Sequence, residues 1–270
     1  MTAITPHAVE IRDLDFTYAN DGPALMEGLS LGIPKGAVTA VLGANGSGKT
    51  TLLHLMVGIL RPRAGRIILK GRPMEAYSPR KLRQLIGLVP QEESVPFDLS
   101  VLEYVLLGRA PHLGLLQLPG EEDRRIAFEA LETAGVADLR YRSVPSLSGG
   151  EGQLTAIARA LAQETDILLL DEPTSHLDIA NTRKVLEVLE RLGKSGKTVL
   201  FTTHDPNAAA TVGGFAILLQ GGRILSAGAL REVFTPKILS RTYGVDIEVL
   251  EVHGRPVVLP FDFRGRENPI

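Results

Sequence analysis

One eight-residue segment constrains the fold of this chain more than any other. Residues 43–50 read Gly-Ala-Asn-Gly-Ser-Gly-Lys-Thr and satisfy the pattern G-x-x-x-x-G-K-[S/T]. A short apolar run, residues 37–42, precedes the segment, and a helical pattern from Lys49 to Ile59 follows it. Such glycines let backbone N–H groups curve around an anion, which the helix N-terminus also attracts. The segment therefore predicts a phosphate-binding turn.

The residues of this turn have separate expected roles. Lys49 is expected to reach the outer phosphates of a nucleotide, and the Thr50 hydroxyl is expected to bind Mg²⁺. The alternative, a glycine-rich turn with a surface lysine, is disfavoured by the strand and helix on either side. The predicted phosphate-binding residues are Gly43, Ala44, Asn45, Gly46, Ser47, Gly48, Lys49, Thr50 and Thr51.

A second short strand ends in two carboxylates. Residues 167–170 are Ile-Leu-Leu-Leu, and Asp171 and Glu172 follow directly. We expect Asp171 to hold Mg²⁺ and Glu172 to polarise the water that attacks a γ-phosphate. An acidic pair at a strand end is by itself typical of a solvated turn. Combined with the lysine loop, it predicts a nucleoside triphosphatase.

The pattern of the whole chain predicts the α/β fold class. The 270 residues, with 44% apolar and 22% charged side chains, are typical of one large folded domain or of one domain with an insertion. Strands alternate with helices, which favours a mostly parallel sheet covered on both faces. From about Gln91 to Leu161 the pattern is mainly helical, so this part is interpreted as an insertion.

Charge and composition narrow the possible partners and compartment. The net charge is −2 and the chain has no cysteine, so we expect no nucleic-acid partner and a reducing compartment. The N-terminus does not resemble a secretory signal. No apolar run approaches the ~20 residues that a membrane-spanning helix needs. Contact with a membrane would therefore require a partner.

A capping pattern marks a second anion site. Leu147-Ser-Gly-Gly-Glu151 places Ser148 and Glu151 at capping-box spacing, so the following helix offers free N–H groups. One chain needs only one cradle for a γ-phosphate. We therefore interpret this helix end as serving the nucleotide of a second copy, with a plain helix cap as the alternative. The residues concerned are Ser148, Gly149, Gly150 and Glu151.

In their order along nearly the whole chain, these motifs resemble the ATP-binding cassette family of transport ATPases. The resemblance implies that Tyr18 stacks on adenine and that Gln91 reports the γ-phosphate and Mg²⁺ to the membrane partner. It also implies that Asp178, in Ser-His-Leu-Asp, crosses the dimer interface and that His204 holds the γ-phosphate. Taken singly, these four are more typical of strand packing, a loop amide, a helix N-cap and a satisfied histidine. Their joint order and spacing favour the family roles.

The resemblance also implies an architecture and a mechanism. The fold would be a P-loop NTPase (RecA-like) core with an N-terminal antiparallel β subdomain and an inserted helical subdomain. Two copies would sandwich two ATP molecules with Mg²⁺ and drive transmembrane permease subunits. The expected segments are the first part of the core, the helical subdomain, the second part of the core and a C-terminal extension, at residues 1–90, 91–161, 162–235 and 236–270.

Within the family, four stretches resemble the importers of ferric siderophores, haem and cobalamin. They are residues 79–83, 108–114, 174–178 and 243–260. This branch implies a location at the cytoplasmic face of the inner membrane and an indirect solute-binding protein. Zinc and manganese importers share much of 97–151 and are the alternative. A soluble relative that serves in DNA repair or translation is a further alternative.

Three smaller features complete the sequence-based expectations. Gly152 and Leu154 stand where the family has bulkier or basic residues, which predicts a softer signature helix and slower turnover. The apolar set Val95, Pro96, Phe97 and Leu99 is interpreted either as a docking cleft or as local core. His112 has no metal-ligand neighbours in sequence and is expected to be structural.

Overall fold

The computed structural model describes residues 6–19, 22–93, 95 and 97–260. Its strands are β1 (His7–Phe16), β2 (Met26–Pro34), β3 (Val38–Leu42), β4 (Ala64–Leu69), β5 (Arg72–Pro73), β6 (Ile86–Val89), β7 (Ile167–Leu170), β8 (Thr198–Thr203), β9 (Phe215–Gln220), β10 (Arg223–Ala229), β11 (Glu248–Val252) and β12 (Arg255–Leu259). Its α-helices are α1 (Lys49–Met56), α2 (Pro79–Leu85), α3 (Val101–Leu106), α4 (Glu121–Ala134), α5 (Gly149–Ala162), α6 (Ile179–Lys194), α7 (Pro206–Val212), α8 (Leu230–Val233) and α9 (Pro236–Tyr243).

A six-stranded sheet forms the centre of the fold, in the order β10-β9-β3-β8-β7-β6. All of its neighbouring pairs are parallel except β9 with β10. β3, β7 and β8 are buried along their whole length, as their continuous apolar runs require. The expected α/β fold with a mostly parallel sheet is confirmed.

Two hydrophobic cores lie on opposite faces of this sheet. Leu168 and Leu170 of β7 face the core that contains α5, α6 and the inserted helices. Ile167 and Leu169 face the core that contains α1 and the N-terminal sheet. This alternation is the period-two geometry of a strand, and it shows that both faces of the central sheet are covered.

The N-terminal antiparallel sheet has the order β2-β1-β4-β5. The family resemblance predicted an antiparallel subdomain here, and the structure confirms it. β2 was not predicted from the sequence, although Met26, Leu29 and Leu31 are buried on one face of it. β1 ends at Phe16, so Tyr18 lies beyond the strand in which it was expected.

Helices α3, α4 and α5 pack together. In the sequence they lie between β6 and β7, where the helical insertion was predicted. Ser100 and Glu103 form a reciprocal capping box at the start of α3. Arg109 is buried behind these helices and bonds Asp123 and Glu164 at 2.9 and 2.7 Å. Arg109 therefore links α4 to the residues that follow α5, through a partly buried ion pair with Asp123 and a second pair with the half-exposed Glu164.

The C-terminal part adds α8, α9 and a β11–β12 hairpin, matching the two helices and two strands expected there. The hairpin packs on α7. No helix in the described ranges is long and apolar enough to cross a membrane.

Candidate active site

The sheet topology brings the predicted motifs to one edge. Strands β3, β6, β7 and β8 run parallel, so their carboxyl ends meet at the same side of the sheet. The phosphate-binding turn follows β3, Gln91 follows β6, Glu172 follows β7 and His204 follows β8. Residues separated by more than 150 positions therefore converge because of strand direction alone.

The turn between β3 and α1 requires its glycines. A Cβ atom at Gly43 would lie 2.3 Å from the carbonyl oxygen of Leu219, which is too close for any side chain at this position. Gly48 has a φ of 100°, a left-handed conformation that favours glycine. No side chain caps α1, so its first N–H groups remain available to an anion.

The side chain of Lys49 is hydrogen-bonded to its own turn. Its side chain is 5% exposed, and Nζ donates to the carbonyl oxygens of Gly43 and Ala44 at 3.0 and 3.3 Å. The same Nζ lies 3.1 Å from Oε1 of Glu172. The lysine therefore joins the end of β3 to the end of β7.

Thr202 of β8 organises the two carboxylates that follow β7. Its hydroxyl donates to Oδ1 of Asp171 at 2.6 Å and accepts from the backbone N–H of Glu172 at 2.7 Å. Asp171 is buried, and Glu172 has a φ of 42°, a conformation that costs a non-glycine residue free energy. The sequence analysis did not identify Thr202, because nothing in the strand pattern distinguishes it from other buried threonines.

His204 completes the cluster at the sheet edge. Its Nδ1 lies 2.8 Å from Oε2 of Glu172. Burial raises the pKa of Glu172, but hydrogen bonds from His204 and Lys49 outweigh it and hold the pKa below its ordinary value. The Glu172 carboxylate is therefore ionised at neutral pH.

A cleft of about 890 Å³ opens above this cluster. The predicted residues that line it are Tyr18, Asn45, Gly46, Gly48, Lys49, Thr50, Thr51, Gln91, Glu172 and His204. Four residues predicted at this site do not line it: Asp171, Gly43 and Ser47 are buried, and Ala44 is exposed. Ser148 and Gly149 line a different cleft, of about 680 Å³.

Tyr18 stands at the mouth of the larger cleft. Its side chain is 69% exposed, its hydroxyl bonds the Thr51 hydroxyl at 2.7 Å, and its ring packs edge-on against Phe16 with centroids 5.0 Å apart. Gln91 is exposed, with Nε2 3.5 Å from the Ser175 hydroxyl. Both side chains present polar or aromatic surface to a ligand in the cleft.

Helix α5 begins at the predicted second anion site. Ser148 is its N-cap, and Ser148 and Glu151 form the reciprocal capping box expected from the sequence. Arg142 adds an ion pair to Glu151 at 3.1 Å. A Cβ atom at Gly150 would lie 2.2 Å from Cγ of Asn181. A Cβ atom at Gly152 would instead meet no described atom beyond its own helix within 4 Å.

Comparison with known proteins identifies the family. The model of the family described as ABC transporter matches residues 26–175. This chain belongs to the ABC transporter family. It is accordingly an ATPase that is coupled to transport, as its lysine loop and carboxylate pair indicated.

Relatives cover almost the whole length of this ABC ATPase. The iron(3+)-hydroxamate import ATP-binding protein FhuC of Bacillus subtilis (strain 168) is 39% identical over 249 residues, covering 91% of this chain and 93% of the relative. The ferric enterobactin transport protein FepC of Escherichia coli (strain K12) is 35% identical, with 98% of each chain covered. The molybdate import protein MolC of Haemophilus influenzae is 40% identical over 87% of this chain and 88% of the relative.

Solved structures support the same assignment. An inward-facing transporter described as of metal-chelate type matches with a TM-score of 0.82 and 35% identity, covering 95% of this chain and 98% of that one. A dimeric ATP-binding cassette, MJ0796, bound to ADP and phosphate matches with a TM-score of 0.72 and 31% identity, over 83% of this chain and 99% of that one. Nucleotide binding by this fold is thus directly observed in a relative.

Asp178 of the ABC ATPase occupies the N-cap of α6. Its carboxylate accepts hydrogen bonds from the Asn181 backbone N–H at 2.7 Å and from the Asn181 amide at 3.1 Å. The helix-cap interpretation is therefore confirmed. A contact across a dimer interface stays a prediction, and the exposed position of Asp178 leaves it accessible.

Two sequence-based expectations remain, one for His112 and one for the apolar set of Val95, Pro96, Phe97 and Leu99. Nε2 of His112 lies 2.9 Å from the Gln163 carbonyl oxygen, which fits its structural interpretation. Val95 and Leu99 pack against the core, which fits the local-core interpretation. Phe97 is 67% exposed, and the docking interpretation stays a prediction. Pro96 lies outside the described residues.

Proposed function

We propose that this chain is the ATP-hydrolysing subunit of an importer for a metal chelate, that is, a ferric siderophore, haem or cobalamin. Relatives named for iron(3+)-hydroxamate, ferric enterobactin and hemin support this cargo class. The observation that best supports the ATPase role is the position of the two predicted anion sites. The Lys49 turn shares one cleft with Glu172 and His204, while Ser148 of the second anion site lines another.

That separation favours a sandwich of two copies. Each ATP would lie between the Lys49 turn of one copy and the Ser148 helix end of the other, because the two sites of one chain line separate clefts. Asp178 would cross the interface. Closure around ATP then supplies the stroke, since ATP binds the closed pair more tightly than the open one. Dimeric relatives of this fold support the arrangement.

The residues of the larger cleft divide the work of hydrolysis. Backbone N–H groups of the turn and Lys49 would hold the phosphates, and Tyr18 would stack on adenine. Glu172 would accept the proton of the attacking water, whose oxygen bonds the γ-phosphorus as the bond to the ADP oxygen breaks. His204 would hold the γ-phosphate. Its 2.8 Å contact with Glu172 supports the proposal that both groups act on one phosphate.

The oxygen ligands near the turn suit Mg²⁺. Asp171, Thr50 and Gln91 offer a carboxylate, a hydroxyl and an amide oxygen, the donor types that this ion prefers. Thr202 engages one carboxylate oxygen of Asp171, and no described donor engages the other. When bound, Mg²⁺ would neutralise charge on the phosphate oxygens. The residues present therefore fit the ion.

The proposed assembly extends beyond this chain. Its segments 1–90 and 162–235 would form the core, 91–161 the signature-bearing helical subdomain and 236–270 the C-terminal extension. Permease subunits would dock beside Gln91, where the exposed Phe97 supplies apolar surface. The chain would sit on the cytoplasmic face of the inner membrane and serve a solute-binding protein indirectly. No nucleic acid is expected as a partner.

The first experiment follows ATP hydrolysis by the chain with its co-purifying membrane proteins, for the wild type and Glu172→Gln. Abolished turnover together with an ATP-dependent dimer of the variant would support the motor assignment. Unchanged hydrolysis in the variant would contradict the role of Glu172. A dimer that binds DNA or ribosomes and no membrane protein would favour the soluble alternative.

Cargo is tested separately, by uptake into vesicles that carry the complete transporter. Uptake of a ferric siderophore, haem or cobalamin that requires ATP would support the proposal. Uptake of zinc or manganese instead would favour the alternative importer class. Molybdate belongs in the same panel, because a molybdate import protein is among the relatives.

A further inference from the structure

The C-terminal hairpin is hydrogen-bonded to α7, the helix that follows His204. Asn207, in the first turn of α7, donates from Nδ2 to the Val258 carbonyl oxygen at 3.0 Å and accepts at Oδ1 from the Val258 N–H at 2.8 Å. Its side-chain amide thus pairs with β12 as a neighbouring strand would. Val258 is buried and Asn207 is exposed, so this two-way contact is partly shielded from water.

The backbone of the same residue fixes the loop that carries His204. The N–H of Asn207 donates to Oδ1 of Asp205 at 2.8 Å, and the N–H of Asp205 donates to the Thr203 hydroxyl at 3.0 Å. His204 lies between Thr203 and Asp205. A movement of Asn207 would therefore be transmitted within two residues to the His204 ring and to its contact with Glu172.

Further groups bring the C-terminal part to this region. Arg255 of the hairpin donates to the Thr211 carbonyl oxygen at 3.0 Å, at the far end of α7. The Tyr243 hydroxyl of α9 is buried and has no described hydrogen-bond partner. Burial raises the pKa of Tyr243, and the negative charges of Asp205 and Glu172 raise it further. The tail therefore approaches the hydrolysis site from two elements.

We propose that the C-terminal hairpin is a positioning element of the hydrolysis site and that Asn207 is the residue through which it acts on His204. The inference rests on the proposed function, in which Glu172 and His204 act on ATP. Asn207 itself faces Val258 and touches no reacting group. Its effect is geometric, because a misplacement of about 1 Å in a catalytic group can cost up to ~10²-fold in rate.

The test compares Asn207→Leu with Gln220→Leu in the full chain. Gln220 is a matched control because its Nε2 donates to the Arg241 carbonyl oxygen at 2.8 Å, so it also ties the C-terminal part to the sheet by an amide, but at the end of β9. For Asn207→Leu we expect kcat for ATP to fall about tenfold with KM unchanged. For Gln220→Leu we expect kcat within about twofold of the wild type.

Asn207→Asp provides a second variant of nearly the same shape. It keeps the acceptor for the Val258 N–H but sets a carboxylate oxygen against the Val258 carbonyl oxygen, so we expect a kcat below that of the wild type. Should Asn207→Leu fail to fold, this variant and the Gln220 control carry the comparison. Equal kcat values for the Asn207 and Gln220 variants, with equal melting temperatures, would overturn the inference.

A double-variant cycle separates positioning from general stability. In a His204→Ala background, measured by single-turnover hydrolysis of γ-labelled ATP, Asn207→Leu should cause no further loss, because the group through which it acts is gone. Losses that multiply would overturn the positioning role. Full turnover by His204→Ala alone would instead contradict the proposed function, and the inference would fall with it.

Discussion

The Nδ1 atom of His204 and the Oε2 atom of Glu172 lie 2.8 Å apart, across the ends of two adjacent parallel strands. Oε1 of the same carboxylate lies 3.1 Å from Nζ of Lys49, which itself belongs to the phosphate-binding turn. One carboxylate therefore links three motifs that are separated in sequence. Because each partner donates to an ionised carboxylate, the cluster keeps Glu172 charged.

Glu172→Gln should abolish turnover while leaving ATP binding intact. Loss of the general base is expected to lower kcat by at least about 100-fold, because the amide cannot accept a proton from water. The ATP-bound variant should persist as a dimer, measured by native mass spectrometry. Glu187→Gln is the matched control, since Glu187 pairs only with Arg183 on the exposed face of α6. A similar loss of kcat in the control would contradict the assignment.

Two glycines of α5 should respond oppositely to alanine. Gly150→Ala places a methyl group against Asn181 and should lower stability and ATPase rate, because the start of α5 must move. Gly152→Ala meets open space and should raise the free energy of unfolding by up to about 1 kcal/mol. Urea unfolding and steady-state ATPase rates measure both effects. A faster Gly152→Ala variant would support the predicted cost of the softer signature helix, whereas an unchanged rate would contradict it.

Thr202→Val should impair the site although it preserves side-chain shape. The hydroxyl joins the Asp171 carboxylate to the Glu172 N–H, so its loss leaves two buried polar groups unsatisfied and should cost about 1–3 kcal/mol. We also expect kcat to fall, because the strained backbone of Glu172 loses its support.

Thr39→Val is the matched control for this change. Thr39 lies in β3, is equally buried, and its hydroxyl has no hydrogen-bond partner among the described residues. Its replacement should be neutral or stabilising, as measured by urea unfolding. Equal destabilisation by the two substitutions would show that the Thr202 hydrogen bonds contribute nothing specific.

Asp123→Asn should destabilise the helical insertion in a pH-dependent manner. Arg109 is 6% exposed and would lose one of its two carboxylate partners, at a cost of about 2 kcal/mol at pH 7. The hydrogen bond from Arg109 holds the pKa of Asp123 below its ordinary value. At acid pH the unfolded chain therefore binds more protons than the folded one, and the advantage of the wild type should be complete above about pH 5 and shrink below it.

Urea unfolding of the two proteins between about pH 2 and pH 7 checks this dependence. Glu122→Gln on the same helix is the control, because Glu122 and Arg125 form an exposed pair whose loss should leave the free energy of unfolding nearly unchanged. A difference between wild type and Asp123→Asn that grows as the pH falls would contradict the sign of the predicted effect.

Local sequence patterns were sufficient for much of the site. The turn at 43–50, the carboxylates after β7 and the capping boxes at Ser100 and Ser148 depend on residues within a few positions of one another. Side-chain type and backbone propensity therefore determine them directly. The parallel direction of the strands, inferred from the alternation with helices, then requires their carboxyl ends to meet at one edge.

Other features were decided only by the tertiary structure. The Thr202 bridge joins residues 31 apart, and the pairing of Asn207 with Val258 spans 51 positions. Gly150 and Asn181 approach each other because α5 and α6 pack, and β2 gains its place by pairing with β1. No local pattern encodes such contacts, because their free energy comes from partners that only the folded chain brings together. The sequence by itself determined the chemistry of the site, and the packing of distant segments decided which further residues hold that chemistry in position.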